Sequence, residues 1–502
     1  MEELSERLAT ISDLGRAGVL LFWDERTKMP PGGAANRAEQ LATLARLGHE
    51  LLVSDELAEL IGRAAGEVGD ESYESDAASV VRVARRDGEK ARRVPAELRA
   101  DLTRAASLAE RAWVTAREES DFTALLPHLE RNVELRRRYV ECFAPYDHPY
   151  DVLLDDYEPG MKTAQLEPLL AELRDGLRPL LERIAAAEQV DGACLHGTFP
   201  SAGQRRLSDL LLAELPLPES ERRLDETVHP FAAAIAPTDL RITTRFDEGY
   251  VGTVLWSLIH EAGHAMYENG IAPELGRSPL GSGLSLGFHE SQSRLWENWV
   301  GRSLPYLEHL LPTLREVFPD AFSQVEAAQL HRAANRVEPS LIRVEADEAT
   351  YNLHIILRFE IEVALFSGEL EPRDLPQAWN ERMRSYLGVE VPDDARGVLQ
   401  DVHWAGGAFG YFPTYALGNV IAGQLWDLIV EELPDLHEQL GRGELVPLRE
   451  WLRERLHRHG AKFEPAEMIE RLTGGPLDSA PLLRQLEEKY VEVYGLNGAQ
   501  PR

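Results

Sequence analysis

The sequence carries the pattern His-Glu-x-x-His at His260, Glu261 and His264, inside an otherwise apolar run. An α-helix has about 3.6 residues per turn, so side chains four positions apart project from the same face. The two imidazoles are therefore placed to bind one zinc ion, and Glu261, about 100° round the helix, is placed to reach water at the open position of the metal. The same pattern also occurs by chance in ordinary helices, so a third ligand is needed before a metal site is predicted.

Glu290 is the candidate third ligand, and it lies 30 residues after His260. It belongs to the polar segment His289-Glu290-Ser291-Gln292, which follows a glycine-rich loop from Gly276 to Gly287. A loop followed by a returning helix would bring this carboxylate to the metal. Two histidines, one carboxylate and an open position are typical of a hydrolytic rather than a structural zinc site.

A buried helix and a strand are the elements expected to position these groups. The apolar residues between Val254 and Ala265 predict that the metal helix is buried, which would hold its ligands still. Upstream, Asp239 to Phe246 alternates polar and apolar residues and is β-branched in its centre, which predicts a strand. We expect this strand to lie beside the zinc and to bind an extended peptide as an added strand.

Helical patterning dominates the rest of the chain, so the predicted fold class is mainly α. Proline and glycine at Met29 to Gly33 end the first helix, a polar aromatic loop is predicted from Tyr150 to Gly160, and a linker from Val190 to Gly203. The predicted helical stretches are 4–21, 35–60, 76–143, 165–188, 290–329, 340–366 and 418–430, followed by a helical C-terminal region to residue 486.

Two further segments carry polar groups that the fold must place. Ser340 to Tyr351 is predicted to be one helix, on which Arg343 and Glu348 form a surface ion pair or Arg343 points inward to receive a carboxylate. The glycines and aromatic residues between Leu399 and Tyr415 predict a loop that approaches a ligand closely and moves.

Composition excludes several classes of partner. The chain has 502 residues, 44% of them hydrophobic, and 85 acidic against 53 basic residues give a formal net charge of −32. This balance argues against nucleic acid and anionic membranes as partners, because phosphate binding relies on clustered Lys and Arg. Its two cysteines, Cys142 and Cys194, predict no disulfide framework and no Cys-based zinc site. The charged start and the absence of a spanning apolar run predict a cytoplasmic protein.

Six motifs occur in an order that resembles the family-32 metallocarboxypeptidases of the carboxypeptidase Taq type. The resemblance extends from residue 1 to about residue 495 and includes the Trp23-Asp24 and Met29-Pro30-Pro31 segment and the Tyr150 to Gly160 loop. The motifs are His229-Pro230-Phe231, Asp239-x-Arg241-x-Thr243, His260-Glu261-x-x-His264, His289-Glu290-Ser291-Gln292, Ile342-Arg343-x-x-Ala346-Asp347-Glu348 and Gly410-Tyr411-Phe412-Pro413-Thr414-Tyr415.

This resemblance implies an almost all-helical fold with a deep active-site groove, a small β-sheet beside the metal helix, and a homodimer. It also implies one zinc ion per chain, or sometimes cobalt, and the release of single C-terminal residues from peptides with broad specificity. The expected organisation is a single catalytic domain over 1–502, in which about 1–200 covers the groove and about 201–502 is catalytic.

The family's functional residues carry over to positions of this sequence. The metal ligands are then His260, His264 and Glu290, and Glu261 is the general base. The substrate motifs fall on His229, Arg241, Arg343 and Tyr411, and the donor to the oxyanion falls on Tyr415 or His403. Among the arginines, Arg343 is the first candidate for the peptide carboxylate and Arg241 the second, because a guanidinium donates two hydrogen bonds to one carboxylate.

Two other functions stay open at this stage. An endo-acting oligopeptidase would use the same zinc chemistry, and a helical interaction protein would keep the metal site without turnover. The presence of Glu261 argues against the second, because a structural metal site needs no base. The sequence leaves open the physiological substrate, the preferred C-terminal residue and peptide length, the native metal and thermostability.

Overall fold

The computed structural model describes residues 1–496, most of which are helical. Within this part of the chain the strands form one three-stranded sheet. The predicted fold class, mainly α with a small β-sheet, is confirmed, while the predicted groove stays a prediction. The chain divides into two compact units, each assembled from three separate segments.

The first unit comprises Met1–Arg92, Gly192–Ala334 and Leu425–Gly474. One of its apolar clusters joins Leu57 and Ile61 to Leu4 and to Leu280, so that the N-terminal helices pack against the loop after the metal helix. Its helices are α1 (Glu2–Thr27), α2 (Ala34–Leu52), α3 (Asp55–Val68), most of α4 (Asp76–Arg93), α9 (Ser201–Glu214), α10 (Gly252–Gly270), α11 (Leu286–Arg294), α12 (Leu304–Val317), α13 (Pro319–Phe322), α14 (Ala327–Ala334), α18 (Leu436–Gly441), α19 (Val446–Arg455) and α20 (Pro465–Thr473).

The second unit comprises Arg93–Asp191, Asn335–Gln424 and the C-terminal segment from Gly475. Helix α17 (Pro413–Glu432) belongs to both units, because the segment of the second unit ends at Gln424 and the first unit resumes at Leu425. The helices of this unit are α5 (Ala96–Glu119), α6 (Phe122–Glu141), α7 (Pro149–Leu154), α8 (Thr163–Ala186), α15 (Glu348–Ser367), α16 (Leu375–Leu387), most of α17 (Pro413–Glu432) and α21 (Ala480–Tyr494).

The sheet consists of β1 (Arg222–Glu226), β2 (Ala232–Ala236) and β3 (Asp239–Thr244). Strand β3 confirms the predicted strand, and it lies in the centre, parallel to β1 and antiparallel to β2. The prediction that a peptide pairs with this strand is wrong, because β1 and β2 already occupy both of its edges.

Local signals end several predicted helices earlier or later than expected. The predicted helix over 35–60 is two helices, because Ser54 caps α3 with its hydroxyl, which accepts a hydrogen bond from Leu57 N at 3.2 Å. The predicted helix over 340–351 is also wrong at its start. Asp347 accepts hydrogen bonds from Ala349 N and Thr350 N, so that α15 begins at Glu348, and Arg343 lies before it in a short 3₁₀ turn.

The segment predicted as a loop from Tyr150 to Gly160 begins with helix α7. His148 caps this helix and Pro149 occupies its first turn, both of which favour a helix start. Tyr150 is fully buried, and its hydroxyl donates to Glu362 at 2.7 Å. The prediction of a loop over the whole segment is therefore wrong, because long-range burial stabilises a helix there.

Over residues 1–496, every helix is too short or too polar to span a bilayer. The division of the chain into about 1–200 and about 201–502 stays a prediction.

Candidate metal centre and arginine cluster

Three side chains converge in the first unit in a way that suits a metal ion. Ligand atoms of His260, His264 and Glu290 all lie within 4.8 Å of one another. The Oε2 atom of Glu290 is 3.7 Å from Nε2 of His260 and 3.5 Å from Nε2 of His264. Adjacent ligands of a tetrahedral zinc ion are about 3.4 Å apart when the metal–ligand bonds are about 2.1 Å long. The three residues present therefore fit zinc.

The close packing of α11 on α10 brings Glu290 to the histidines. Helix α11 starts where the Ser285 hydroxyl accepts a hydrogen bond from Phe288 N at 3.2 Å. A Cβ atom on Gly263 would lie 2.7 Å from Ser293 Cα and 2.8 Å from Gln292 O. Only glycine at position 263, within the His-Glu-x-x-His pattern, allows the two helices to approach this closely.

A hydrogen bond from Glu297 fixes the orientation of His260. Oε2 of Glu297 lies 3.0 Å from Nδ1 of His260, which assigns the proton to Nδ1 and leaves Nε2 free for a metal. Glu297 lies in a π-helical segment, Leu295–Gly301, that continues α11. The sequence gives no signal for Glu297, since a regular 3.6-residue pattern does not show a π-helical segment.

A second chain of hydrogen bonds orients His264. Its Nδ1 lies 2.6 Å from Nδ1 of His289, and Nε2 of His289 lies 3.1 Å from Oε1 of Glu268. Because Glu268 accepts the Nε2 proton of His289, Nδ1 of His289 accepts the Nδ1 proton of His264. The sequence points to His289 only as part of a motif, and it gives no signal for Glu268, one turn beyond His264.

Arg294 holds two carboxylates of the centre at once. Its Nε lies 2.7 Å from Oε1 of Glu290, and its Nη1 lies 3.3 Å from Oε2 of Glu297. Oε2 of Glu290 is the oxygen nearer the histidines. It accepts one hydrogen bond, from Ser293 Oγ at 3.1 Å, and remains available to a metal. Arg302 adds a 3.0 Å pair to Oε1 of Glu297.

The electrostatics of His264 and Glu290 favour metal binding. Burial opposes protonation of His260, but Glu290 and Glu297 outweigh it and raise the pKa of that imidazole. Burial lowers the pKa of His264 to about 4, so this imidazole is neutral near pH 7. Burial opposes ionisation of Glu290, but Arg294 and the two histidines outweigh it and hold the pKa of this carboxyl well below its usual range. A neutral imidazole and an ionised carboxylate are the protonation states that coordinate zinc.

Glu261 is buried on α10 next to His260, and no residue between 1 and 496 donates a hydrogen bond to its carboxylate. Burial raises the pKa of Glu261 to about 7, although His260 acts in the opposite direction. A carboxylate that is free of protein donors is available to bind and deprotonate water.

The sheet of the first unit carries two of the predicted substrate residues. Arg241 on β3 pairs with Asp239 through distances of 2.6 and 3.0 Å, and its guanidinium lies 4.6 Å from the ring centroid of Trp23. His229 is exposed in the turn between β1 and β2. The motif of His229 and the motif of Arg241 are joined by two hydrogen bonds. Thr243 Oγ1 accepts from Phe231 N at 2.7 Å and donates to Phe231 O at 2.8 Å.

His403, Tyr411 and Tyr415 lie together in the second unit. The ring of His403 is 5.2 Å from that of Tyr411, and the two tyrosine rings are 5.3 Å apart. Nε2 of His403 is 3.5 Å from the Tyr415 hydroxyl. Burial lowers the pKa of His403 to about 4, so this ring is neutral near pH 7.

Gly410 allows the Tyr411 loop to pack closely in this unit. Its φ is +89°, and a Cβ atom there would lie 2.5 Å from Leu153 O in α7. Glu362 accepts hydrogen bonds from Gly410 N at 2.8 Å and from Trp404 Nε1 at 2.6 Å, which ties both of these residues to α15.

Arg343 is buried next to this cluster, with its side chain 6% exposed. The predicted surface pair with Glu348 is wrong, because Glu348 pairs with Lys489 at 2.7 Å and Arg343 pairs with Asp401 at 2.8 Å. Asp401 also binds Arg358, which is fully buried. We call these three residues the arginine cluster; Asp401 and Arg358 were not identified from the sequence.

Comparison with known proteins agrees with these observations. The family model described as "Carboxypeptidase Taq (M32) metallopeptidase" matches residues 3–490. Thermostable carboxypeptidase 1 of Thermus thermophilus is 46% identical over 492 residues, 96% of each chain. Carboxypeptidase 1 of Bacillus subtilis is 40% identical over 98% of each chain.

Solved structures show the same fold. The M32 carboxypeptidase of Deinococcus radiodurans R1 has a TM-score of 0.95 and 38% identity, over 98% of this chain and 99% of that one. Metallocarboxypeptidase 1 of Trypanosoma cruzi has a TM-score of 0.92 and 34% identity, over 97% of this chain and 99% of that one. The family match over almost the whole chain, together with the metal centre, confirms the resemblance of the motifs: the protein belongs to the carboxypeptidase Taq (M32) family of metallopeptidases and is a peptide hydrolase.

Proposed function

We propose that this protein is a zinc-dependent carboxypeptidase that releases single C-terminal residues from peptides with broad specificity. The observation that carries the proposal is the convergence of Nε2 of His260 and Nε2 of His264 on Oε2 of Glu290, within 3.7 Å. Membership of a metallopeptidase family supports the assignment of these atoms as metal ligands.

A zinc ion held by these three residues supplies Lewis acidity, which lowers the pKa of water towards about 7 and polarises a peptide carbonyl. Glu261 acts as the general base: it takes a proton from the attacking water and gives it to the nitrogen of the leaving amino acid. Its burial and its lack of protein donors support this role. Glu297 and His289 keep the two imidazoles in the tautomers that ligation requires.

Arg343 is proposed to bind the free C-terminal carboxylate of the peptide. An exopeptidase must recognise this group, and a guanidinium binds a carboxylate with two parallel hydrogen bonds. Burial of Arg343 supports the role, because a charge-assisted hydrogen bond is stronger where water is excluded. Arg241 is a weaker candidate, since its side chain is more exposed, at 17% against 6% for Arg343.

The remaining predicted roles belong to the same proposal. Tyr415 or His403 donates to the oxyanion of the tetrahedral intermediate, and Tyr411 contacts the substrate. The packing of these three side chains in one cluster supports a shared role. His229 stays a predicted substrate residue, and its exposure leaves it free to bind one.

A timed mass-spectrometric digest tests the function. An octapeptide with a free C-terminus and the same peptide with a C-terminal amide are incubated with the protein, with and without a chelator. We expect stepwise loss of single residues from the free peptide, slow or no cleavage of the amide, and no reaction with chelator. Internal cuts at equal rates in both peptides would instead favour the endo-acting oligopeptidase, and stoichiometric zinc without any hydrolysis would favour an interaction protein.

The bound metal, the oligomeric state and the cellular location each require a separate measurement. Metal analysis of the purified protein distinguishes zinc from cobalt, and light scattering tests the proposed homodimer. Fractionation of the source cells tests the proposed cytoplasmic location.

A further inference from the structure

Asp401 is shared between two buried arginines of the second unit. Its Oδ1 accepts hydrogen bonds from Nε of Arg343 at 3.1 Å and from Nη2 of Arg343 at 2.8 Å. Its Oδ2 accepts from Nε of Arg358 at 2.8 Å and from Nη2 of Arg358 at 2.5 Å. Each oxygen of one carboxylate is thus bound by the Nε side of a different guanidinium.

Arg358 is held in place on every side and is not open to a ligand. Its side chain is 0% exposed, and its guanidinium lies 4.4 Å from the ring centroid of Trp379 and 5.2 Å from that of Phe412. Besides Asp401 it binds His354 O at 2.5 Å and Gln400 Oε1 at 2.8 Å. Four of its five N–H bonds are therefore used.

Arg343 keeps two N–H bonds free, one on each terminal nitrogen. Asp401 takes its Nε–H and one Nη2–H, and the Tyr351 hydroxyl takes one Nη1–H at 3.2 Å. Counted over residues 1–496, this leaves one N–H on each Nη atom. Two N–H bonds on the two terminal nitrogens are what a bidentate carboxylate needs.

We propose that Arg358 is a positioning residue for recognition of the C-terminal carboxylate: it holds Asp401 so that Asp401 orients Arg343 and leaves its two remaining N–H bonds free. This inference rests on the proposed role of Arg343 and goes beyond it, because it assigns a function to a residue that is too deeply buried to touch a substrate.

Charge sharing gives a second physical reason for the same role. A carboxylate that binds two guanidiniums neutralises each of them only in part. Without Arg358, Asp401 would be free to turn both oxygens to Arg343, which would neutralise Arg343 and weaken its attraction for a peptide carboxylate. The buried side chain of Asp401 would also lose the hydrogen bonds that fix its rotamer.

The test measures kcat and KM for the octapeptide with a free C-terminus. For Arg358→Met we expect KM to rise tenfold or more while kcat changes less than threefold. Arg358→Lys keeps a positive charge and one hydrogen-bond donor near Asp401. We therefore expect its KM to lie between those of the parent and of Arg358→Met. Arg382→Gln is the matched control: Arg382 in α16 makes a partly exposed 3.4 Å pair with Glu360, and its loss should leave both constants unchanged.

A double-mutant cycle separates positioning from a general loss of structure. If Arg358 acts through Arg343, then Arg358→Met raises KM in the parent but has no further effect on KM in the Arg343→Ala background. Additive effects in the double variant would overturn the inference. So would a fall in kcat at unchanged KM.

The outcome also distinguishes this inference from the proposed function. If Arg343→Ala raises KM and Arg358→Met does not, Arg343 binds the carboxylate and the inference about Arg358 is wrong. If neither substitution changes KM, the proposed role of Arg343 is wrong as well. Should Arg358→Met not fold, the comparison of Arg358→Lys with its Arg343→Ala double variant decides the question in the same way, and the inhibition constants of free leucine and leucinamide report carboxylate binding without turnover.

Discussion

Nδ1 of His260 lies 3.0 Å from Oε2 of Glu297, and Glu297 is bound in turn by Arg294 and Arg302. The orientation of His260, a candidate metal ligand, is therefore set by the π-helical segment Leu295–Gly301 as well as by its own helix, α10. In a regular α-helix the side chain at position 297 would point in another direction. The turn of a π-helix is wider, so side chains within it are rotated about the helix axis relative to their positions in an α-helix.

Substitution of Glu297 is expected to weaken metal binding without removing a ligand. Glu297→Gln keeps an acceptor for His260 but loses the charge that Arg294 and Arg302 bind. We expect the zinc dissociation constant to rise about 10- to 100-fold, as is usual for groups that orient a ligand. Competition with a zinc-binding dye measures it. Glu316→Gln, at an exposed pair with Arg206, is the control, and an equal loss there would contradict the assignment.

Glu261→Gln is expected to separate metal binding from turnover. The amide cannot accept a proton from water, so kcat should fall by a factor of about 10² to 10⁴ while bound zinc stays stoichiometric. The measurement is kcat together with metal analysis on the same preparation. A variant with bound zinc and nearly full activity would show that another group is the base.

Gly263→Ala tests the contact that brings α11 to α10. The new Cβ would meet Ser293 Cα at 2.7 Å and Gln292 O at 2.8 Å, both of them backbone atoms that cannot rotate away. We expect a loss of about 1 to 3 kcal/mol in the free energy of unfolding and weaker zinc binding, because Glu290 moves with α11. Thermal unfolding and metal titration measure the two effects.

The control for this substitution is Gly62→Ala in the middle of α3. No atom lies within 4 Å of a Cβ at position 62, so this change should stabilise the protein by up to about 1 kcal/mol through helix propensity alone. Equal effects of the two substitutions would mean that the approach of the helices does not depend on Gly263.

Arg343→Ala is expected to raise KM for peptides with a free C-terminus by at least tenfold. It removes the two free donors of the arginine cluster and leaves Asp401 bound to Arg358. The amidated peptide should respond far less, since it offers no carboxylate. Steady-state kinetics on the pair of peptides give the comparison, and a similar change in KM for both would rule out carboxylate binding by Arg343.

Metal removal is expected to lower stability as well as activity. A ligand that binds only the folded state stabilises it by about 2.7 kcal/mol at a free concentration 100-fold above its Kd. The Tm of the protein should therefore fall with chelator and recover with added zinc. Recovery with magnesium but not with zinc would contradict the zinc assignment.

The sequence was sufficient for the parts of the site that depend on local periodicity. The spacing of His260 and His264 predicts two ligands on one face of a helix, and α10 has this form. Alternation predicts β3, whereas β2 has the sequence Ala-Ala-Ala-Ile-Ala, which has little β propensity and is a strand because it pairs with β3.

Contacts between residues far apart in sequence could not be predicted in this way. The partners of Arg343 are 8 and 58 residues away, and nothing in the pattern around it favours Asp401 over Glu348. Tyr150 is fully buried in α7, where Glu362, 212 residues later, accepts a hydrogen bond from its hydroxyl. Burial of such polar groups depends on the complete fold.

Arg294 binds both Glu290 and Glu297, and this shared contact has a consequence for the size of ion that the centre admits. A calcium ion binds six to eight oxygen atoms at about 2.3 to 2.6 Å, so Glu290 would have to turn Oε1 as well as Oε2 towards it. Arg294 opposes this rotation, because its Nε lies 2.7 Å from Oε1 of Glu290. We therefore expect Arg294, although it does not contact the metal, to disfavour binding of large cations that prefer oxygen ligands.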